Sequence, residues 1–421
     1  MPSAVRVYLT MVSLIAFANT VMFTTYAVYY INTLDFNPLQ LILVGVALEI
    51  TVFLCEIPTG IVADVYGRRL SVIIGCFVLG LAFVLEGSAL YISVLSFIAM
   101  VILAEIIRGV GETFVSGAQG AWITDEVGED NVGKLFLRAR QITLGVEVIG
   151  IGVSVALASY KLNAPFIVGG LTYLVLGIFL LMKMKETNFI PAIAERGNRN
   201  TLKVISNTLM SGIKEVKKKH ILLMLTFVTF FVGASSEGFD RLWELHFIDS
   251  IGLPKLGGLS TVVWFGIISI GSKLIGIGVA EVARRKLDTR SVFSVNIALL
   301  LLTSIKIVFI FLFGASVNFP MALTSFWALT VIGTIYGPIF DTWLNQNIDS
   351  KVRSTVLSLM SQVNAFGQTA GSPFIGTVGV RYTVRAALIL AAVLLIPAFI
   401  VFARMLKLVK NSSSKTSGVG H

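Results

Sequence analysis

Between Leu388 and Ala403 the chain carries no charged or hydrogen-bonding side chain, and runs of this kind recur from one end to the other. A helix needs about 20 apolar residues to cross the hydrocarbon core of a bilayer. With 56% of 421 residues apolar, the chain holds enough for roughly twelve crossings. Charged residues make up 13%, about half the share of a soluble domain, so a soluble globule is excluded. The runs are continuous rather than the short alternating segments of a membrane barrel. They are therefore helices, because in lipid each backbone polar group must be satisfied within its own segment. The expected fold is an all-α membrane protein with twelve transmembrane helices in two six-helix repeats.

The net charge of +10 would suit a nucleic-acid partner only with a basic patch beside a stacking platform, and none is legible. The positive residues fall instead in short segments between apolar runs. Cys55 and Cys76 both lie inside runs and read as packing, with no disulfide framework or redox pair. His220, His246 and His421 are too scattered to ligate a metal. No cofactor is expected, and no nucleophile, base and orienter set marks an enzyme. Ala16-Phe17-Ala18 resembles a signal cleavage site, but the run continues without charge to Ile31 and reads as an uncleaved first helix.

Spans are expected at 7–31, 39–62, 71–90, 95–122, 140–160 and 164–184, then at 221–247, 258–280, 291–313, 320–344, 355–380 and 384–406. Residues 1–184 form the first half, 185–220 a basic linker, 221–406 the second half and 407–421 a polar tail expected to be disordered. Counted on alternate sides, the outer segments hold Lys161, Lys255, Arg381 and Arg385, four more Lys and Arg lie within spans, and the remaining 25 of 33 are inside. Both termini are therefore expected to be cytoplasmic, in a plasma or inner membrane. Asp64 is echoed 217 residues later by Glu281, each ahead of an arginine pair, and Trp122 is echoed 221 residues later by Trp343, which favours an internal duplication.

The loop after the second span reads Gly60-Ile-Val-Ala-Asp64-Val-Tyr-Gly67-Arg68-Arg69. This motif resembles the signature loop of the major facilitator superfamily, with Val65 where that family usually has a basic residue. The resemblance implies two repeats with a substrate site near mid-membrane. It also implies that Asp64 latches onto the start of the eleventh span near Ser354 and Thr355, and that Arg68 or Arg69 pairs with Asp125 or Glu126. Gly60 is expected to allow close helix approach and Gly67 a tight turn. The alternative is a solvated loop whose arginines only set topology.

Acids and bases inside spans are functional candidates by default. Arg108 shares a face with Glu105 and Glu112. The segment Arg108-Gly109-Val110-Gly111 resembles the fourth-span motif of the superfamily's drug–proton antiporters, although the usual Gln is missing; a purely structural ion pair is the alternative. Glu49, Glu56 and Glu86 are proton-coupling candidates and resemble the glutamates of clostridial-type tetracycline efflux pumps. Glu86 has the alternative of reaching outer water. Glu147 lies in a fifth span that has Gly145, Gly150 and Gly152 but lacks the proline of the export branch, which leaves transport direction open.

Glu237, Asp240, Arg241 and Glu244 share a face near the outer end of the seventh span, as an outer gate, a cation-recognition site or a solvated cluster. Lys273 and Asp341 lie in spans eight and ten, and Lys306 in span nine either lines a cavity or snorkels. Asn364 and Gln368 can bond a ligand or another helix, and Pro338 and Pro373 can kink their spans. Asn19, Tyr26 and Trp264 suit a cavity for an aromatic ligand, whereas Tyr29 and Tyr30 are expected in an interfacial belt. Together these features predict a monomeric, proton-coupled secondary transporter exporting small amphipathic drugs, with tetracycline the specific case. Uptake or exchange of a nutrient or lipid-like solute, and a ligand sensor on the same scaffold, are the alternatives.

Overall fold

A computed structural model describes residues 3–92, 94–188, 214, 216–255, 257–286, 292–347 and 353–417. Every regular element among them is helical. Among the described residues, ten helices are long and apolar enough to cross a membrane. The fourth and eleventh expected spans are not among those ten, because one carries Glu105, Arg108 and Glu112 and the other is rich in Ser, Gln, Asn and Gly. Leu54, Leu81, Val175 and Phe374 stand 60–71% exposed, which water would not tolerate as a belt but lipid does.

The chain forms two compact units, Met1–Arg199 with Lys255–Ile270, and Asn200–Pro254 with Gly271–His421. The 199/200 boundary falls within the expected linker 185–220, and the start of the eighth span groups with the first unit.

In the first unit the first span is broken into α1 (Ser3–Phe23) and α2 (Tyr26–Asn32) at Thr24 and Thr25. The Thr24 hydroxyl donates to the Thr20 carbonyl, and the Thr25 hydroxyl pairs with Ser154 at 3.0 Å. Helix α3 (Pro38–Tyr66) starts at a capping box of Asn37 and Gln40, with Pro38 in its first turn. It joins α4 (Arg68–Gly87) through the single residue Gly67. The fourth span, expected as one helix, divides at Ser116–Gly117 into α5 (Phe97–Val115) and α6 (Ala118–Val127). Helix α7 (Glu129–Tyr160) begins well before the expected residue 140, and α8 (Ala164–Lys183) completes the unit's long helices before the linker.

The second unit contains α9 (His220–Leu245), whose last turn widens to a π-helix over His246–Ile251. It continues with most of α10 (Thr261–Lys286), then α11 (Val292–Gly314), α12 (Phe319–Asn347) and α13 (Arg353–Arg381). The twelfth span is broken at Leu395 into α14 (Val384–Leu394) and α15 (Ile396–Ser417). The helical backbone of α15 runs to Ser417, through most of the segment expected as a disordered tail. Residues 189–213 of the linker and 418–421 of the tail lie outside the described residues.

Packing repeats between the units. Trp122 and Trp343 are both fully buried. A Cβ at Gly87 of α4 would meet Phe166 and Ile167 of α8, and one at Gly314 of α11 would meet Leu388 and Ile389 of α14. The third and sixth spans of one unit thus cross as the ninth and twelfth of the other do, the relation expected of a duplicated six-helix bundle.

Candidate functional site

At one end of the first unit, the signature loop is held by the side chains of Glu186 and Asp125 and by the Leu181 and Met184 backbone carbonyls. Gly67 adopts φ of +117°, a conformation that disfavours any residue with a Cβ, and it offers α4 no capping side chain. Glu186, just past α8, fills that role. Its Oε1 accepts from the backbone N–H of Arg68 at 2.7 Å and of Arg69 at 3.2 Å, placing a negative charge at the positive end of the helix. Arg68 pairs with Asp125 of α6, while Arg69 donates to the Met184 and Leu181 carbonyls at 2.6 and 2.8 Å. Glu126 accepts from Thr187 and Asn188, and the indole of Trp122 donates to the Lys185 carbonyl at 2.8 Å.

The first residues of the linker are therefore strapped to the bundle. Replacing Glu186 with Ala should cost about 1 kcal/mol, the usual worth of a helix cap, read as a lower melting temperature of the detergent-solubilised protein. An unchanged melting temperature would remove Glu186 from this role.

Beside the strap lies a cavity of about 280 Å³ lined by Glu56, Gly60, Asp64, Arg68 and Ser116 among others. Glu56 accepts from the Ser116 hydroxyl at 3.0 Å. A Cβ at Gly60 would meet nothing within 4 Å, so Gly60 does not serve the close helix approach expected of it and borders the cavity instead. Asp64 is exposed; the side chains of Ser354 and Thr355, its expected partners, lie outside the described residues.

Deeper in the bundle, Arg108 of α5 is held between two carboxylates of its own helix. Its Nη1 lies 3.1 Å from Glu105 and its Nε 2.8 Å from Glu112. The side chains of Arg108 and Glu105 are 11% and 1% exposed, whereas that of Glu112 is 39% exposed. The guanidinium also lies over the rings of Phe23 and Phe83, 4.6 and 5.5 Å from their centroids. Nearby, the Tyr173 hydroxyl donates to Asn19 at 2.8 Å. Sequence spacing places the three charged residues on one face, and the structure adds the aromatic cradle.

Glu86 does not reach outer water. It is 1% exposed, its carboxylate accepts from the Tyr30 hydroxyl, and its backbone carbonyl accepts from Tyr29. Tyr29 and Tyr30 are fully buried against Phe166 rather than lying in an interfacial belt. Tyr26 packs edge-on to Phe23 and Tyr30. Glu147, itself buried, pairs with Arg140 at 2.9 Å two turns away on α7. Glu49 is half-buried on α3, and Trp264 is buried on α10. Cys76 is buried and Cys55 only half-buried.

In the second unit, Glu237 and Glu244 of the cluster on α9 are built into the bundle rather than solvated, while Asp240 is exposed. Glu237 and Glu244 are 5% and 3% exposed, and Glu237 pairs with Arg241 at 2.8 Å. Asp240 opens onto a second cavity of about 280 Å³. Lys306 of α11 lines the same cavity instead of snorkelling away, its ammonium 5.7 Å from the Tyr336 ring centroid. Trp243 and Phe326 form an aromatic wall, stacked at 4.3 Å and 24°.

Lys273, Asn364 and Gln368 are half-buried, and Pro338 and Pro373 lie inside continuous helices. The side chains of Asp341 and Glu281 lie outside the described set. Among the described residues, no group of His, Cys, Asp and Glu is arranged to hold a metal ion. Lys306, Phe326 and Trp243 come together only because three helices cross there, and nothing in their spacing announces it.

The features of this chain define a polytopic transporter with two helical bundles, and comparison with known proteins agrees. The chain belongs to the Major Facilitator Superfamily, whose pattern it matches over residues 9–371. It is 25% identical over 405 residues to an uncharacterized MFS-type transporter, YxaM, of Bacillus subtilis (strain 168), covering 93% of each chain. Among solved structures, the nucleoside transporter NupG superposes with a TM-score of 0.71 at 16% identity, over 97% of this chain and 100% of that one. A D-xylose-proton symporter superposes with a TM-score of 0.65 at 14% identity, over 93% and 96%. At these identities the structural likeness shows the fold. The protein is a multi-pass membrane transporter of a small-molecule substrate and not an enzyme.

Proposed function

We propose that this transporter couples the movement of a small amphipathic solute to protons by alternating access, as a monomer in the plasma or inner membrane with both termini cytoplasmic. The observation that carries the coupling is the Glu105–Arg108–Glu112 triad. An arginine buried with one acid is a structural pair, and removing either partner leaves an uncompensated charge. An arginine with two acids differs. Protonation of Glu112, the one open to water, leaves Glu105 to hold the guanidinium, so a proton can be taken up and released without an unpaired buried cation. A proton-dependent shift in how the arginine is held would then bias the two access states. In this reading Glu49, Glu56, Glu86 and Glu147 are further titratable groups, and the Arg68–Asp125 pair with Asp64 forms the inner latch.

The resemblance of Arg108–Gly111 to the drug–proton antiporters supports export, and tetracycline is the first solute to test. The fifth span lacks the export branch's proline and leaves direction open, so uptake or exchange of a nutrient or lipid-like solute is the second reading. The experiment is to reconstitute the protein in liposomes, impose a pH gradient of either sign, and follow tetracycline together with internal pH. Drug movement with matching proton counterflow is the expected result. Drug movement without proton flux would overturn coupling, and proton flux only with another solute would overturn the choice of tetracycline.

A further inference from the structure

We propose that the groove between α1 and α8 on the outside of the first unit holds an acyl chain of an anionic phospholipid, whose phosphate lies at Arg6 and Lys183. The groove, of about 350 Å³, is lined by Leu14 and Phe17 of α1 and by Val168, Leu171, Thr172 and Val175 of α8. Leu171 and Val175 stand 49% and 61% exposed, so the groove opens onto the lipid-facing surface. Its one polar side chain is already satisfied, because the Thr172 hydroxyl donates to the Val168 carbonyl at 2.8 Å. The groove therefore presents hydrocarbon alone, and a chain of methylenes fills it without stranding a polar group.

Charge sets the other end of the ligand. Phe17 lies 11 residues after Arg6 on α1, and Thr172 lies 11 residues before Lys183 on α8. Such a spacing is three helical turns, so each cation shares a face with its groove residue and stands about 16 Å from it along the axis. The two helices pack antiparallel: the Tyr173 hydroxyl donates to Asn19, and Gly169 lies against Met22. Both cations are therefore at one end, where Arg69 donates to the Leu181 and Met184 carbonyls. Half the hydrocarbon core is about 15 Å thick. A headgroup at Arg6 and Lys183 thus brings its acyl chain to Phe17 and Thr172.

The protein does not neutralise these cations itself. Arg6 and Lys183 are exposed and make no ion pair among the described residues. The acids around the linker strap are committed elsewhere: Asp125 to Arg68, Glu126 to Thr187 and Asn188, and Glu186 to the backbone N–H groups of α4. Arg69, held by uncharged carbonyls, and exposed Lys185 add to the positive potential that draws an anionic headgroup.

This inference concerns a lipid and stands apart from substrate and coupling, so it is tested without flux. Delipidated full-length protein in detergent is titrated by native mass spectrometry with dioleoyl phosphatidylglycerol and two controls. Dioleoyl phosphatidylcholine keeps the chains without the net charge, and dihexanoyl phosphatidylglycerol keeps the charge with chains too short for the groove. The long-chain phosphatidylglycerol is expected to bind at least about tenfold more tightly than either control. Arg6→Gln combined with Lys183→Gln should abolish that preference over phosphatidylcholine. Equal binding of the two dioleoyl lipids, equal binding of long and short phosphatidylglycerol, or a double variant that keeps the full preference overturns the proposal. The comparison on unmodified protein decides the matter even where the variant fails to fold.

Discussion

Replacing Arg108 with Met should abolish gradient-driven transport and markedly lower the melting temperature. The Arg108 guanidinium lies 3.1 Å from both carboxylate oxygens of Glu105, and Glu105 is 1% exposed. Removing the guanidinium leaves that carboxylate beside the apolar rings of Phe23 and Phe83, and breaking a buried pair from one side costs about 3–5 kcal/mol. The structural and functional parts of this loss separate in a double variant. Arg108→Met with Glu105→Gln removes both charges, so stability should largely return while proton-coupled flux does not.

Glu112→Gln gives the complementary result. It keeps the Arg108–Glu105 pair and should cost under about 1 kcal/mol at a side chain 39% exposed, yet it should uncouple flux from the pH gradient. Liposome flux and thermal unfolding of the same preparations provide both readings. Native-like coupled transport in Arg108→Met, or in Glu112→Gln, would remove the triad from the mechanism.

Most of the fold is legible in the sequence because spanning helices leave a long signature of apolar composition. Even the fourth and eleventh spans, too polar to stand out by hydropathy, are legible from their place between runs. The helix breaks are not. Thr24–Thr25 and Leu395 sit within apolar runs and Ser116–Gly117 in a short stretch of small and polar residues, and the break at Thr25 is matched by its tertiary partner Ser154. At the site, residues related by helical spacing can be found: Glu105, Arg108 and Glu112 lie on one turn-to-turn face.

Residues related only by crossing helices escape such reading. Glu186 is one acid at the head of a basic linker, and its role depends on Gly67 having no side chain with which to cap α4. Tyr30 resembles a belt residue because its partner Glu86 is 56 positions away. Glu237 and Glu244 on α9 resemble members of a solvated cluster because their depth is set by the packing of other helices around them.

That packing is tightest between α9 and α13, and it yields the second large effect expected. A Cβ at Gly367 would overlap the Phe230 carbonyl oxygen and lie 3.0 and 3.1 Å from the Phe230 carbonyl carbon and the Ala234 nitrogen. One at Gly371 would lie 2.6–2.7 Å from Ala234, and one at Gly233 would overlap the Asn364 carbonyl. The obstructing atoms at Gly367 are backbone, so no rotamer change relieves the clash and the helices themselves must separate. Small residues permit this approach in membranes, where packing rather than water exclusion holds helices together.

Gly367→Ala should therefore exceed the 1–3 kcal/mol typical of overpacking, at about 3 kcal/mol or more. It should be seen as loss of monodisperse protein or a large fall in melting temperature. Gly278→Ala, where an added Cβ meets nothing within 4 Å, should be neutral or slightly stabilising through helix propensity. Equal behaviour of the two variants would refute the crossing. Because Asp240 and Trp243 lie on α9 about two to three turns past Gly233, any separation of α9 from α13 also moves the cavity wall that they form.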